Sequence, residues 1–465
     1  MNKLRQLWES SKSSLWFVPT LMIVGAIALA VGLVEAEGLV SRELLAGYPR
    51  LFGAGVDAAR GMLSAIAGSM ITVAGLTFSL TIVAITQASS QYTPRVLRNF
   101  IRDRHNQFVL GYFIAVFVFC LVVLRTIRGG EDDGRFIPSL AVFGGLLLAI
   151  LSVGVLVSFI HHTASSLQAS SIISNVAKET VETIERLFPE RIDLDSKARE
   201  DFDPAGELSG EGWQEILAAA TGYIQSVNMN KLLELAEEHD VVLRMKESAG
   251  GYVVKGAPLL YVAENGKALA GAAELREKLN DCYTFDHFRT IERDAAFGIR
   301  QLVDIALKAL SPGVNDTTTA ITCVDYLGAI LAECAVRRME NHLRGADRRV
   351  RVVACRPMFA HLVAEAFDQI RDSGEDNAAV LLRQLKAIET TGGRTRSASR
   401  RQALLEQVGL IADAMKRGIK SEYNRTRINE RIERVGDMLD ANRDTQIYSS
   451  SETVSESQNT KETVR

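Results

Sequence analysis

Seven histidines and five cysteines are the residues here best able to hold a metal or act as nucleophiles. Their spacing supports neither role. Cys120, Cys282, Cys323, Cys334 and Cys355 form no CxxC pair and no ladder of short intervals, which argues against a zinc module or a disulfide scaffold. No GxxxxGK[ST], GxSxG or HExxH motif occurs, and no GxGxxG sits on a strand-to-helix turn. The chain is therefore expected to be no enzyme, to hold no metal and to need no cofactor. His161 and His162 are adjacent, so on a helix they point to different faces and cannot easily chelate one ion. An interfacial structural role is the plainer expectation for them, and a pH-responsive one the sharper.

Three other constellations carry possible function. Within the uncharged stretch 61–94, steps of three and four residues pick out Gly61, Ser64, Gly68, Thr72, Gly75, Ser79 and then Thr86. That is one helix stripe of small or hydroxylated side chains. It fits close helix packing, because small residues let backbones approach. It equally fits a water-lined path, because pore walls use polar uncharged groups. Both hold if several copies pack around this helix. The second constellation is Arg95, Arg98, Arg102 and Arg104, with Val96, Leu97, Phe100 and Ile101 between them. It reads as an amphipathic segment on anionic inner-leaflet lipids, or as a cationic ring at an inner channel mouth. The third is the turn Ser311–Asp316. Asn315 or Asp316 there suits a helix N-cap after Pro312 and Gly313. The alternative is a binding turn made by Ser311, Asn315 and Asp316, with Asp294, Arg300 and Asp304 nearby on the preceding helix.

The elements that must position these residues fall into two halves. Long apolar runs lie before residue 161 and charge clusters after residue 177, so the average of 23% charged residues hides a membrane part and a polar part. Spans are expected at about 15–34, 62–88, 108–124 and 137–160, each near the ~20 residues needed to cross ~30 Å of hydrocarbon. The basic start and apolar run at the N-terminus resemble a signal peptide, but a span is the better reading. Lys3, Arg5, Lys12 and the arginines of 95–104 flank one side, while the other loops are acidic or balanced. The positive-inside rule then places both termini in the cytoplasm and the protein in the bacterial inner membrane. The uncharged stretch is too long for the bilayer, so its cytoplasmic end must lie in water or line a wet cavity.

The expected organisation is a transmembrane domain (1–162), a helix continuing the fourth span (163–190) that stops at Pro189, a small β-rich part (210–264), a mainly helical part (274–442) and a disordered tail (443–465). The fold class is a mainly α membrane protein with a cytoplasmic α+β domain. Its GGYVVKGAPLLYV segment (250–262) resembles the small barrel of biotinyl-like domains, without the modified lysine. The basic segment 337–351 reads as a linker or exposed loop. A net charge of −3 gives no field for nucleic acid.

LWFVPT (15–20), the segment 62–100, FIHHTASSLQAS (159–170) and FGIRQLVDIALKALSPGVNDTTTA (297–320) resemble a widespread bacterial family of predicted four-span membrane proteins known only as a domain of unknown function. The resemblance covers nearly all the chain except the tail. It implies four spans and a cytoplasmic domain, and supplies no activity. The turn reads NDT where the family is expected to read NDP, which should alter the start of one helix. The functional expectation is a homo-oligomeric channel or channel-like pore with a regulatory cytoplasmic domain. The alternative is a membrane-anchored sensor or scaffold whose polar domain binds a ligand or a partner protein.

Overall fold

The computed structural model describes residues 16–37, 55–91, 103–128, 136–166, 168–192, 212–264, 272–339 and 341–440. Arg95, Arg98, Arg102, the N-terminal cations and the tail 443–465 lie outside them. The chain divides into two compact units, Met1–Ile172 and Ile173–Arg465.

In the first unit four helices are long and apolar enough to cross a membrane. They are α1 (Phe17–Ala36), α2 (Val56–Gln91), α3 (Arg104–Thr126) and α4 (Ser139–Ser166). Helices α2 and α3 contain the stretches expected at 62–88 and 108–124, while α1 and α4 each begin two residues inside those expected at 15–34 and 137–160. At 36 residues α2 is about 54 Å long, well beyond the ~30 Å of a hydrocarbon core. The core lies between α3 and the inward faces of the others, with Leu63, Phe113, Phe119 and Val123 fully buried. Close approach depends on small residues at defined points. A Cβ on Gly111 would lie 2.9 Å from Pro19 Cα and 2.9 Å from Met22 Sδ, so glycine is what lets α1 and α3 touch. Tyr112 on α3 donates its hydroxyl to Leu148 O on α4 at 2.8 Å.

Helix ends in this unit borrow partners from neighbouring helices, as orphan end groups must when water is scarce. Arg60 donates to Ile127 O at the end of α3 (3.1 Å), and Glu37 Oε2 accepts the Leu140 amide at the start of α4 (2.8 Å). Negative charge at a helix N-terminus is favourable, so Glu37→Ala should cost about 1 kcal/mol. Glu37→Gln, which keeps an acceptor, should cost less. Thermal unfolding of the full chain in detergent measures this, and equal stability of all three proteins would refute the capping role.

After α4 comes α5 (Ala169–Leu187), which stops just before Pro189 as expected. The second unit is α+β. Strands β1 (Trp213–Leu217), β2 (Gly222–Val227), β3 (Val241–Met245), β4 (Tyr252–Val253), β5 (Pro258–Glu264) and β6 (Tyr283–Asp286) are joined later by β7 (His342–Arg344) and β8 (Val350–Val353). They form a five-stranded sheet, β1-β5-β3-β8-β7, and a three-stranded one, β4-β2-β6. Among the described strands only β3 and β8 pair in parallel. The barrel-like part is thus two sheets with no closed barrel, because β3 takes β8 from far along the chain as its second neighbour. Helix α6 (Met229–Glu238) buries Leu232, Leu235 and Ala236 in the same core as Leu243, Leu259 and Val352. Helix α7 (Ala272–Asn280) leads to β6.

The remaining helices are α8 (Ala295–Leu310), α9 (Thr317–Cys334), α10 (Phe359–Ser373), α11 (Ala378–Gly392), α12 (Ala398–Gly418) and α13 (422–440). Their apolar stripes meet around Phe367, Leu381, Leu385 and Ile388, and Gly328 lets α9 lie against Ala387 of α11.

The segment 337–351 is not a linker. Arg337 is 5% exposed and Arg351 7%, and β7 lies between them. Arg337 Nη2 reaches Glu333 Oε1 (2.7 Å) and Glu185 Oε1 (2.9 Å), while its Nη1 donates to Phe188 O (3.2 Å) and Pro189 O (3.3 Å). Arg351 pairs with Asp240 (2.7 Å) and Asp347 (2.8 Å). Each arginine thus has one carboxylate four residues away and a second, Glu185 or Asp240, far away in sequence.

Candidate functional site

Helix α2 has two contrasting faces. Leu63, Ala67, Met70, Ala74, Thr77 and Ala84 are buried at intervals of three, four and seven residues. The stripe Ser64, Gly68, Thr72, Gly75, Ser79 and Thr86 lies on the opposite side and is exposed at every position. A Cβ built on Gly61, Gly68 or Gly75 meets nothing within 4 Å. Among the described residues, therefore, the stripe does not pack against this chain's other helices. Its hydroxyls are partly satisfied within the helix: Thr72 Oγ1 donates to Gly68 O (2.8 Å) and Thr86 Oγ1 to Ile82 O (2.9 Å). Such back-bonding lets a hydroxyl sit in an apolar setting while keeping its lone pairs outward. Large exposed apolar residues border the stripe on both sides, Ile71 and Phe78 on one and Leu76 and Val83 on the other.

Of the four arginines only Arg104 is among the described residues. It is the first residue of α3, exposed, directly after the N-cap Asp103.

The turn Ser311–Asp316 is held mainly by its own bonds. Ser311 Oγ donates to Lys308 O (2.6 Å), and the Asn315 amide donates to Ser311 O (2.9 Å). Asp316 caps α9: its carboxylate accepts the Thr319 amide (3.0 Å) and hydroxyl (2.6 Å). Those hydrogen bonds hold its carboxyl below the usual aspartate range. The nearby polar residues are likewise engaged. Asp294 caps α8 and pairs with Arg289 (2.7 Å); burial pushes its carboxyl up while Arg289 pulls the other way. Arg300 pairs with Asp304 (2.9 Å).

Asn315 is the exception. Its backbone is left-handed (φ 49°), which asparagine tolerates better than most residues. It lines a groove of about 470 Å³ together with Asp376, Asn377, Leu382, Asn424 and Arg427. The guanidinium of Arg427 lies 5.4 Å from the centre of the Tyr423 ring. Thr317, which stands where proline was expected, accepts Asn377 Nδ2 on its hydroxyl at 2.9 Å. Proline has no such acceptor, so this bond ties the start of α9 to the start of α11. The sequence reading missed Asn377, Asn424 and Arg427. An asparagine before the apolar run of α11 was a legible cap signal, but nothing local tied Asn424 or Arg427 to Asn315.

An uncharacterized protein of Mycobacterium bovis and another of Mycobacterium tuberculosis are each 31% identical to the chain over 455 residues, which is 94% of this chain and 84% of the relative. No solved structure matches it. The model of the family described as "Predicted membrane protein (DUF2254)" matches residues 12–390, so it takes in all four apolar helices and Asn315 but stops short of Asn424 and Arg427. Four candidate spans and this match over most of the chain place the protein in that family of multi-pass membrane proteins.

Proposed function

We propose that the chain is a homo-oligomeric channel or channel-like protein of the inner membrane, with α2 of each copy turned toward a shared axis. It performs no catalysis, and its second unit is cytoplasmic and regulates the pore. The observation that carries this reading is the open stripe of α2. A lone helix facing lipid gains most from large apolar side chains, and along α2 these mostly flank the stripe, interrupting it at Ile82. Gly61, Gly68 and Gly75 recur every seven residues, as do Thr72, Ser79 and Thr86. That interval suits packing of identical helices at a shallow left-handed crossing. With a wider ring of copies the same hydroxyls line a wet path. On this reading Arg95, Arg98, Arg102 and Arg104 form the inner mouth and bind anionic inner-leaflet lipids. Nucleic acid has no part in it.

Single-channel recording of the purified full chain in planar bilayers tests the proposal, with Thr72→Asp and Ser79→Arg beside the wild type. Discrete currents whose amplitude or ion preference shifts in the variants are expected. Silence from a folded oligomer across voltage, tension and pH would overturn it. The groove at Asn315 favours a second reading, a membrane-anchored sensor or scaffold whose polar unit binds a ligand or partner protein. On that reading, Asn315→Ala and Arg427→Ala abolish function while changes in the α2 stripe affect assembly alone.

A further inference from the structure

Asp103, His105 and His162 meet at one end of the membrane unit. Asp103 Oδ1 accepts the His105 amide at 2.9 Å as the N-cap of α3. Its Oδ2 holds Nε2 of His162, on α4, at 2.5 Å. The rings of His105 and His162 are 4.3 Å apart and tilted by 43°. His105 Nε2, Asn106 Oδ1 and Thr163 Oγ1 are buried and have no hydrogen-bond partner among the described residues. A surface helix junction would leave such groups to water. Here three buried polar atoms and two imidazoles gather around one carboxylate, with the Asp103 side chain 21% exposed and that of His162 36%.

We propose that Asp103, His105 and His162 form a proton-operated latch that fastens the start of α3 to the end of α4 and opens on acidification. With one imidazole protonated, its charge is balanced by Asp103 and the rings remain in contact. With both protonated, two cations 4.3 Å apart share one carboxylate, and one oxygen of that carboxylate is already committed to the helix cap. Like charges at this distance repel, the more so toward the buried side of the cluster. No second anion relieves them among the described residues. Arg104, which is permanently cationic, and His161 flank the cluster and are exposed, and neither supplies a negative charge. The charged residues of α1 and α2, and the adjoining Glu37, sit at the far end of the bundle: Glu37 at the start of α4 and Arg60 at the end of α3, with Glu35 and Asp57 close by in sequence. Histidine is the side chain whose ordinary charge change falls between about pH 5 and 8. The two protons bind as a coupled pair, and the second one opens it.

The latch is tested by amide hydrogen exchange, read by mass spectrometry on the full chain in lipid nanodiscs at about pH 7.5 and about pH 5.5. Rates are corrected for the intrinsic effect of pH. Exchange over residues 104–108 and 160–164 is expected to rise about tenfold or more in acid. His105→Phe keeps a ring against His162 but cannot be charged, so it should hold both segments protected at both pH values. His105→Arg carries a permanent charge and should exchange fast at both. A wild type with no acid-dependent step would overturn the latch, as would a His105→Phe protein that keeps the step. The comparison of wild type with His105→Phe decides even if the arginine variant fails to fold. The readout needs no current, so the latch stands or falls separately from the conduction proposal.

Discussion

Replacing Arg337 by methionine is expected to loosen the second unit by about 3 kcal/mol, the lower end of the range for breaking a buried ion pair, because Glu185 is 49% exposed and recovers some hydration. The substitution keeps the long apolar stem and removes the guanidinium. Glu333, 13% exposed, then keeps Arg191 at 3.0 Å as its nearest cation. The carbonyls of Phe188 and Pro189 lose a donor at the end of α5. The consequences reach α9, because Arg400 donates to Ala335 O (2.9 Å), Cys334 O (3.2 Å) and Arg337 O (2.9 Å) at that helix's end. Cys334 is wholly buried and offers a reporter. Its alkylation rate should rise on the order of 100-fold in Arg337→Met, since each 1.4 kcal/mol of opening is about tenfold. The rate at exposed Cys355 should stay constant and serves as the internal control. Arg337→Lys keeps the charge without the planar fork and should recover less than half of the loss. A Cys334 rate unchanged in Arg337→Met would show that the clamp is held by Arg400 alone.

That clamp also marks where sequence reasoning ends. The four apolar helices were legible because hydrophobic length is a local property, and the stop of α5 before Pro189 because proline acts on its own turn. The two faces of α2 were legible as well, since periodicity alone separates small residues from large ones. What the periodicity left undecided was which face the chain covers, and the structure settles that: the larger residues Leu63 and Met70 point inward and the stripe outward. The segment 337–351 was misread because the local pairs with Glu333 and Asp347 look like ordinary surface pairs until Glu185 and Asp240, more than a hundred residues away, complete them. The barrel likeness of 250–262 failed for the same reason, since pairing β3 with β8 joins residues 243 and 352. At the candidate turn, capping by Asp316 follows from a local rule, whereas the groove needs residue 376, just before α11, and residues 424 and 427 of α13 brought to Asn315. His162 was noticed for its position, and Asp103 and His105 were not, because only helix packing unites them.

Two glycines in the membrane unit should respond in opposite ways to the same substitution, and the contrast measures what covers α2. Gly111→Leu drives a side chain into the Pro19 backbone and Met22, where even a Cβ would stand at 2.9 Å. Backbone cannot yield as a flexible side chain does, so α1 must tilt away from α3. A cost of about 3 kcal/mol or more is expected, above the usual range for an overpacked core. Thermal unfolding in detergent should show a fall of roughly 10 °C and loss of a monodisperse species. Gly68→Leu places the same side chain where nothing lies within 4 Å. In an isolated chain it should leave the melting temperature unchanged or raise it slightly, because leucine favours helix over glycine by close to 1 kcal/mol. Should Gly68→Leu instead lower the melting temperature or the assembled mass, the stripe is covered in the native protein, and a second copy of α2 is the partner its spacing fits. If both variants behave as an isolated chain requires, α2 faces lipid or water, and the stripe's hydroxyls then matter for what passes along it rather than for what binds to it.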